Sequence, residues 1–455
     1  MKIAVVGAGI SGLSAAWLLG QLHDVVIYEA ERRLGGHSNT VDVIAPEGRC
    51  PVDTGFIVYN LATYPNLIAF FDTLGVQTAP SEMSFAVSLD GGAYEYSGAG
   101  LSGLFGQPQN ICRPSHWRMV AEILRFFRQA GDTQLNSISA NATLGEWLEA
   151  RGYSQGFIYG HIAPMAAAIW SAPIHEILNF PFTAFTRFFA NHGLLQAFGR
   201  PAWRTVEGGS RAYVERIAKD FTGRVSLSDR VVEVTGSTSG ATVRTMAGTE
   251  ERFDAALLAC HANDALEIVS NARPDMRNLL SAFRYQHNEA VLHTDSSFMP
   301  KRPRLWSSWN YLGRRDDIKN EGAEDMSVTY WMNRLQPLPT KTNYFVTLNP
   351  LRAIPNEAIV GRFVYHHPVY DAAALSAQSD LGTLQGKNRL WFAGSYFGYG
   401  FHEDGLQSGL AAAEDLSRRL GGSCGAVLRP WTWDERQSRI TRPAVAAEFV
   451  PAAAV

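Results

Sequence analysis

The sequence has little of three features that would each point to a particular class of protein. Its four cysteines, Cys50, Cys112, Cys260 and Cys424, are scattered without a CxxC pair, which indicates neither a disulfide framework nor a zinc site and fits a reducing compartment. No run approaches the roughly 18 apolar residues that span a bilayer. Positive charge is not in excess, since 40 Lys+Arg stand against 43 Asp+Glu, and this balance argues against nucleic acid as the main partner.

The composition is that of a globular protein. Hydrophobic residues make up 46% and charged residues 18% of 455 positions, enough for two or three cores, which rules out a collagenous or disordered chain. The N-terminus, MKIAVVGAG, is interrupted by glycine too early for a signal segment and predicts a buried strand instead. We therefore expect a cytoplasmic protein, or one bound peripherally on the inner membrane surface.

The N-terminal pattern is strand, glycine-rich turn, helix, strand and acid. The apolar run from Lys2 to Val6 is followed by GAGISG, in which Gly7 permits a tight turn, Gly9 lets the backbone approach a pyrophosphate, and Gly12 lets helix and strand pack closely. The next apolar run ends in Glu29, 22 residues after Gly7, where a carboxylate can accept hydrogen bonds from a ribose. The whole unit predicts a dinucleotide site; the alternative is a glycine turn without a ligand.

A second GxGxxG match occurs at residues 98–103. It follows a polar, glycine-spotted stretch instead of a buried strand, and it runs into LFGQPQN, which does not favour a regular helix. We interpret it as a loop and predict a single dinucleotide fold.

Further motifs make the pattern specific. The run EAERRLGGHSNT follows the second strand, and DTG follows later. Together they resemble the flavin-containing amine oxidase and phytoene desaturase superfamily, in which the Gly-Gly turn approaches the flavin diphosphate and ribityl chain. The matching positions include Glu29, Ala30 and Gly36. His37 stands where the family often has arginine, and Glu31 is a second departure.

Two downstream segments extend the resemblance. The strand around Val232 is similar to the one whose backbone holds the adenine end. The LWFAG run at 390–394 and the segment GFHEDGLQSG at 400–409 resemble the last flavin motif, in which a helix N-terminus stabilises negative charge on the reduced ring. The covalent-flavin cysteine of some relatives has no counterpart in SYFGYGFHEDG.

The resemblance implies an α/β protein with a Rossmann-type FAD-binding domain (glutathione-reductase-like, amine oxidase topology) and a discontinuous α+β substrate domain. We expect residues 1–57, 203–270 and 385–422 to form the first, residues 58–202 and 271–384 to form the second, and 423–455 to be a tail with a docked Trp-rich start and a mobile end. FAD should be held without a covalent bond. The predicted FAD-binding residues are Gly7, Gly9, Ile10, Ser11, Gly12, Glu29, Ala30, Gly36, His37, Ser38, Thr54, Gly55, Phe56, Val232, Gly394, Glu403, Gly405 and Leu406.

Two inserted segments are rich in aromatic residues and arginine. Residues 179–204 hold six phenylalanines, Trp203 and three arginines without an acid, and in residues 116–129 Trp117, Val120, Leu124 and Phe127 recur at helical spacing. One interpretation is ordinary core with a solvated face. The other is an apolar channel with a basic rim that takes an acyl chain, at about 0.8 kcal/mol per buried CH₂; an interfacial helix would show the same pattern.

The strand at residues 285–295 contains a position whose residue type distinguishes subfamilies. It is similar to the strand that carries a flavin-facing lysine in many amine oxidases, and the matching position here is Glu289. A buried carboxylate with a raised pKa could accept a proton from carbon, whereas the alternative is a surface or salt-bridged residue. Asn288, Tyr399 and His402 are the other predicted catalytic residues. His366 and His367 lack a third ligand at metal spacing, so no metal site is predicted.

The closest resemblance is to amine-oxidase-like flavoproteins that accompany, or are fused to, cyclopropane-fatty-acyl-phospholipid synthases. It implies an FAD-dependent oxidoreductase that desaturates a methylated or unsaturated fatty acyl lipid, with molecular oxygen as the final acceptor and a lipid methyltransferase as a partner. Two alternatives stay open. One is an amine oxidase that releases hydrogen peroxide, and the other is an accessory flavoprotein without activity of its own.

Overall fold

The computed structural model describes residues 1–131, 142–196, 199, 201–314 and 327–422, and the backbone of two short strands in the tail. The expectations for Phe198, Arg200 and most of residues 423–455 lie outside the described residues.

The described strands, in chain order, are β1 (Lys2–Val6), β2 (Asp24–Tyr28), β3 (Thr40–Ala45), β4 (Gly48–Asp53), β5 (Val58–Asn60), β6 (Thr78–Ser81), β7 (Phe85–Leu89), β8 (Tyr94–Ser97), β9 (Trp203–Val206), β10 (Arg224–Ser226), β11 (Val231–Ser237), β12 (Gly240–Thr245), β13 (Glu250–Phe253), β14 (Ala255–Leu258), β15 (Arg284–His293), β16 (Trp309–Gly313), β17 (Ser327–Trp331), β18 (Phe345–Leu348), β19 (Ile359–Val369), β20 (Leu390–Phe392), β21 (Thr432–Asp434) and β22 (Arg439–Thr441).

The described α-helices are α1 (Ile10–Leu19), α2 (Pro65–Leu74), α3 (Gly100–Leu104), α4 (Pro114–Ala130), α5 (Leu144–Ala150), α6 (Gln155–Phe157), α7 (Ala163–Trp170), α8 (Ile174–Leu178), α9 (Phe182–Asn191), α10 (Arg211–Asp220), α11 (Ala262–Ile268), α12 (Pro274–Leu280), α13 (Met332–Leu335), α14 (Ala372–Gln378) and α15 (His402–Arg419).

A five-stranded parallel sheet forms around β1, in the order β10-β2-β1-β14-β20. Four of the five residues of β1 and of β2 are buried, as expected for parallel strands that are covered on both faces. The predicted strand, turn, helix and strand at the N-terminus are confirmed. Between β10 and β14 the chain makes the three-stranded antiparallel sheet β11-β12-β13.

The second large sheet is mixed, with seven strands in the order β19-β15-β18-β17-β16-β7-β8. Its strands are antiparallel except for the parallel pair β7 and β16, and all of them come from the two inserted segments. The predicted α/β class with an additional α+β part is therefore confirmed, while the exact domain boundaries stay a prediction.

Helices α1 and α15 pack together through glycine. A Cβ on Gly409 would lie 2.2 Å from the carbonyl oxygen of Ser11, and one on Gly405 would lie 2.9 Å from Cγ2 of Ile10. Because real Cβ atoms do not approach backbone oxygen so closely, only glycine fits at Gly409 without a shift. The N-terminal ends of the two helices consequently lie side by side.

The second GxGxxG match is not the loop that we expected. Strand β8 leads into it and the short helix α3 begins within it, at Gly100. A Cβ on Gly103 would lie 2.8 Å from the carbonyl oxygen of Ser97, so this glycine serves the close return of the chain onto β8. The segment adjoins the seven-stranded sheet and not the parallel one.

The apolar stripe of helix α4, for which core packing is one of two interpretations, is divided between core and solvent. Trp117 is 50% exposed and Leu124 is 53% exposed, and Val120 and Phe127 are only partly buried. Periodicity identified the stripe but not the direction in which it faces. The side of the helix that is buried carries His116, Met119, Glu122, Phe126 and Ala130.

The phenylalanine-rich segment around α9 is mainly packed core. Five of its phenylalanines are at most 4% exposed, namely Phe180, Phe182, Phe185, Phe188 and Phe189. Arg204 does not border a channel, because its guanidinium donates to the Oγ1 and the carbonyl oxygen of Thr78. Of the two interpretations, ordinary core accounts for most of this segment.

His293 is a buried neutral histidine at the end of β15. Its Nδ1 accepts the backbone N–H of Asp295 at 3.1 Å, so the ring proton is on Nε2, which donates to Oγ1 of Thr347 at 2.7 Å. Burial lowers the pKa of His293 to about 4.

We expect acidification from pH 7 to pH 5 to destabilise the wild type by up to about 2 kcal/mol relative to His293→Gln. The unfolded histidine takes up a proton near its ordinary pKa of 6.5, whereas the folded one stays neutral until about 4. Its contribution is thus present above pH 6.5 and is lost as the pH falls through this window. Glutamine offers an amide donor and acceptor but does not titrate, so any hydrogen bond it loses lowers the stability equally at both pH values. Urea unfolding of both proteins at each pH measures the difference, and identical pH profiles would contradict the assignment.

Candidate functional site

The first glycine turn leaves an open space at the N-terminal end of α1. A Cβ on Gly12 would lie 1.9 Å from the carbonyl oxygen of Gly7, which itself has φ +99°. Gly9 is the N-cap, has φ −71° and supplies no side-chain cap, and a Cβ on it would meet nothing within 4 Å. Uncapped N–H groups of Ile10 and Ser11 beside an open space are the geometry that binds phosphate.

The second glycine turn lies against the first. The N–H of Gly35 donates to the carbonyl oxygen of Ala8 at 2.8 Å, and a Cβ on Gly36 (φ +55°) would lie 3.1 Å from Cα of Gly9. The sequence motifs at residues 7–12 and 35–36 therefore meet at one place.

The DTG motif completes this corner. A Cβ on Gly55 would lie 2.2 Å from the carbonyl oxygen of His37, and the N–H of Phe56 donates to the same oxygen at 2.7 Å. Thr54 Oγ1 contacts the hydroxyl of Tyr365 at 2.8 Å. The predicted residues of this motif are thus brought together with the second glycine turn.

Glu29 lies at the carboxyl end of β2, beside the first turn. Its Oε2 accepts the N–H of Ala8 and its Oε1 accepts the N–H of Glu31, both at 2.8 Å. Ala30 next to it is exposed. Carboxyl ends of parallel strands are where open α/β sheets bind nucleotides.

Val232 occupies a β-bulge. The register of β11 against β12 shifts between Val231 and Glu233, so Val232 has no partner in the ladder. A bulge leaves the extra residue without a residue opposite it in the ladder, which fits the prediction that the backbone near Val232 holds the adenine end.

In the C-terminal motif, residues 390–394 and 400–409, several of the predicted cofactor-binding residues pack against protein instead. Gly394 donates its N–H to Oγ of Ser408 at 2.9 Å, and Gly405 lies against α1. Leu406 is completely buried in the hydrophobic core, so its side chain does not contact a cofactor as we expected.

Glu403 is a second correction within this motif. It is 3% exposed, and its carboxylate accepts the backbone N–H groups of Asn66 at 3.0 Å and Leu67 at 2.9 Å. Burial raises its pKa to about 7. Its side chain caps the N-terminus of α2 and does not face the predicted cofactor site.

His402, a predicted catalytic residue, is joined to two predicted cofactor-binding residues. Its ring stacks on Phe56 with centroids 3.7 Å apart, and its Nε2 lies 3.1 Å from Oγ of Ser38 and 2.7 Å from the hydroxyl of Tyr213. Burial lowers the pKa of His402 to about 3, so the imidazole is neutral at physiological pH.

Two histidines and a tyrosine lie beside the ring of His37. Its ring centroid lies 5.4 Å from that of His367, 6.5 Å from His261 and 5.1 Å from the Tyr365 ring. Burial, and then the neighbouring histidines, hold the pKa of His37 well below its usual value. Its Nε2 is buried and has no hydrogen-bond partner in the described part of the protein.

A chain of amides sets the proton position on His367. The backbone N–H of Glu289 donates to Oδ1 of Asn349 at 3.0 Å, which directs Nδ2 of Asn349 to Oδ1 of Asn288 at 2.8 Å. Nδ2 of Asn288 therefore donates to Nδ1 of His367 at 3.2 Å, and the ring proton is on Nε2. Burial lowers the pKa of His367 to about 4.

Glu289 is not placed as a base that faces the flavin. Successive side chains of a strand point to opposite faces, and Asn288 and Ala290 take the buried face. The Glu289 side chain is 39% exposed and forms an ion pair with Arg362 at 2.5 Å. Glu289 is therefore the salt-bridged surface residue of the alternative interpretation, and Asn288 is the residue on the inner face of the sheet.

Tyr399 lies beside an aromatic wall that precedes α15. Phe188 stacks on Phe401 with centroids 4.9 Å apart, and its centroid is 6.0 Å from that of Tyr399. His192 stacks on Phe188 at 3.9 Å.

Sequence reasoning missed four polar residues of the site, namely Tyr213, His261, Tyr365 and His367. The signal for two of them was present, because Tyr365 and His367 are two residues apart and alternation along β19 places both on one face. His261 and Tyr213 come from a loop and a helix whose approach to the site depends on tertiary packing.

The residues present fit a dinucleotide cofactor. A bound FAD would fill the open space at Gly9, and it would supply hydrogen-bond partners for the uncapped end of α1 and for the orphaned Nε2 of His37. Among the described residues, no three His, Cys, Asp or Glu side chains form a group that could hold a metal ion. No helix in the described ranges is long and apolar enough to cross a membrane.

A family model described as flavin containing amine oxidoreductase matches residues 10–365. The chain belongs to this family. As a member, it is an FAD-dependent oxidoreductase, and the motif residues described above are its candidate cofactor contacts. A comparison with curated protein sequences finds no match.

Solved structures share the fold at low sequence identity. A CLA-producing fatty acid isomerase from P. acnes is 16% identical, with a TM-score of 0.63 over 92% of this chain and 98% of that one. Cyclohexylamine oxidase from Brevibacterium oxydans is 17% identical, with a TM-score of 0.63 over 92% and 99%. Wild-type putrescine oxidase bound to putrescine is 16% identical, with a TM-score of 0.62 over 91% and 99%.

Gly9→Ala should weaken FAD binding without weakening the fold. The backbone at Gly9 suits alanine, and the new methyl group would project into the open space that the cofactor needs. We expect FAD affinity to fall by about tenfold or more while the apoprotein unfolds within about 0.5 kcal/mol of wild type. Flavin fluorescence titration and urea unfolding measure the two quantities.

Gly12→Ala is the matched comparison, because its methyl group would collide with the backbone of Gly7. This variant should lose stability as well as cofactor. If Gly9→Ala bound FAD as tightly as wild type, the cradle would have to lie elsewhere.

Proposed function

We propose that this family member desaturates a long-chain methylated or unsaturated fatty acyl lipid. FAD, bound without a covalent link, would take up the hydride, and the proton lost from the neighbouring carbon would pass to water. Molecular oxygen would then accept two electrons and two protons and leave as hydrogen peroxide. The protein binds the acyl chain so that an activated C–H, beside a double bond or methyl branch, is held close to the reacting face of the cofactor.

The observation that carries this proposal is the aromatic wall at the start of α15. Phe188, Tyr399 and Phe401 pack together beside the predicted flavin motif. Phe188 is buried in the core, whereas Tyr399, Phe401, Leu194 and Leu195 are partly buried and are the side chains that an acyl chain would contact. Such a wall binds an alkyl chain at about 0.8 kcal/mol per buried CH₂, and it offers no charge to a small ammonium ion.

The inner face of β15 supports the same choice. The position nearest to that of the family lysine carries Asn288, and none of the six lysines of the chain lies on this strand. The amide of Asn288 does not titrate, so we assign it to positioning: it orients His367, whose Nε2–H is then a fixed donor. The low pKa values of His367 and His402 make both rings poor proton acceptors near pH 7, and we assign them to orientation too.

The comparisons support a lipid substrate in a limited way. One structure with this fold is described as a fatty acid isomerase, so the fold accommodates acyl chains in at least that protein. Resemblance to flavoproteins that accompany cyclopropane-fatty-acyl-phospholipid synthases suggests a lipid methyltransferase as a partner, and a cytoplasmic location with peripheral contact to the inner membrane surface.

One observation favours the alternative of an amine oxidase. A cavity of about 160 Å³ is bordered by Trp170, Phe180 and Tyr370 together with Glu176 and Asp371. The Oε2 atom of Glu176 is buried without a hydrogen-bond partner among the described residues. Aromatic rings next to a carboxylate are suited to an ammonium group, although Arg284, which also lines the cavity, pairs with both acids.

Anaerobic mixing with candidate substrates distinguishes the functions. We expect phospholipids with methyl-branched or unsaturated acyl chains to bleach the oxidised flavin, with a new double bond in the recovered lipid. Cyclohexylamine and putrescine should leave the absorbance unchanged. Rapid bleaching by the amines alone would favour the oxidase, and no bleaching by any compound would favour an accessory flavoprotein.

Neighbouring variants on β15 test the residue assignment. Glu289→Gln should change the lipid-dependent reduction rate by less than about twofold, because its exposed carboxylate is paired with Arg362 on the outer face. Asn288→Leu should lower the rate by roughly tenfold or more by releasing His367, while FAD stays bound. A large loss in Glu289→Gln, with Asn288→Leu unaffected, would reverse the assignment.

A further inference from the structure

Helix α4 presents an apolar stripe to solvent. In a globular protein such a stripe normally faces the core. Val120 and Phe127 do pack partly against the core, but Trp117 and Leu124 are 50% and 53% exposed. Exposed apolar surface that is continuous over several residues marks an interaction site.

Neighbouring residues enlarge the stripe into a patch. The ring of Phe105 lies 4.6 Å from that of Trp117, and Trp117 Nε1 donates to the carbonyl oxygen of Ile111 at 2.9 Å. Ile111 is 56% exposed, and Leu101, one helical turn before Phe105, is 74% exposed. We call these four residues, together with Leu124, the apolar patch: Leu101, Phe105, Ile111, Trp117 and Leu124.

The charges around the apolar patch are almost all positive. Residues 98–131 contain the arginines Arg113, Arg118, Arg125 and Arg128, and their one acid is Glu122. Glu122 is buried and already paired with Arg118 at 3.1 Å. Arg128 is exposed and follows Leu124 by one helical turn, so it borders the patch directly.

We propose that the apolar patch docks the protein onto the surface of an anionic lipid bilayer. The 17-residue helix α4 would lie in the plane of the interface with Trp117 at the level of the headgroups, Leu124 and Ile111 among the first acyl carbons, and Arg128 on a lipid phosphate. Arg125 instead lies over the Tyr153 ring and Arg118 pairs with Glu122, so these two add to the positive potential without a direct contact. The single sign of the surrounding charge favours anionic lipid over a second copy of this chain, which would bring the same positive rim.

The inference deepens the proposed function, on which it rests for the choice of lipid over an acidic protein partner. It states where the chain would meet its substrate, and it can be tested without turnover. Each arginine near an anionic membrane strengthens partitioning by roughly fivefold, so the charge should be visible in vesicle composition and salt dependence.

The experiment is flotation of the FAD-loaded, full-length protein with vesicles. Phosphatidylcholine vesicles are compared with vesicles of phosphatidylcholine and phosphatidylglycerol, at low and high salt. We expect at least about tenfold stronger binding to the anionic vesicles, weakened by salt. Leu124→Glu and Arg128→Glu should each reduce it by about fivefold or more.

The matched controls introduce glutamate at an exposed apolar residue and at an exposed arginine outside the apolar patch. Met246 is 71% exposed and Arg216 is exposed on α10, and Met246→Glu and Arg216→Glu should bind vesicles within about twofold of wild type. Equal unfolding midpoints of all four variants would show that folding is intact.

Three results would overturn the proposal: no binding to either vesicle, equal loss in the control variants, or a dimer in size-exclusion chromatography that Leu124→Glu dissociates. The outcome is separable from that of the proposed function. Vesicle binding that depends on Leu124 supports docking even if no lipid reduces the flavin, and reduction by detergent-dispersed lipid supports the function even if vesicles are not bound.

Discussion

The site depends on backbone approaching backbone without an intervening side chain. Gly7 and Gly12 let the first turn close, and Gly409 lets α15 pack on α1 at a distance that no Cβ would permit. As a result, two helix N-termini lie side by side at the carboxyl end of a parallel sheet, where their N–H groups attract negative charge. The second glycine turn then closes over the first, so four separate motifs share one small volume.

A different constraint acts on the seven-stranded sheet. The inner face of this sheet borders the site, and the outer face does not. Because side chains alternate along a strand, a shift of one residue moves a side chain from one face to the other. Asn288 on the inner face takes part in an amide chain that ends on His367, whereas Glu289 next to it pairs with an arginine at the surface. Neutral imidazoles therefore dominate the polar part of the site: an amide holds His367, hydroxyl groups hold His402, and an aromatic wall lies beside them.

The sequence predicted the motifs whose meaning is local. The N-terminal unit and the class of the fold could be predicted because glycine spacing and apolar runs act within a few residues. Which residue of β15 faces the site could not be predicted, since an ungapped match to the family strand can be wrong by one residue. Periodicity found the stripe on α4 but could not tell core from solvent, which depends on whether another element covers it. Glu403 was assigned to the cofactor because the motif does not reveal that α2 begins beside it. Tyr213 and His261 reach the site only through contacts distant in sequence.

The strand order also governs when the site can exist during synthesis. β1 lies between β2, its near neighbour in sequence, and β14, which the ribosome makes some 250 residues later; β20 and α15 come later still. At about 5–20 residues per second, the nascent chain spends tens of seconds with its first glycine turn made but one wall of the nucleotide pocket untranslated. Cofactor loading must therefore be a late event, and the unfinished parallel sheet has an open edge at β1 that needs protection until the distant strands arrive.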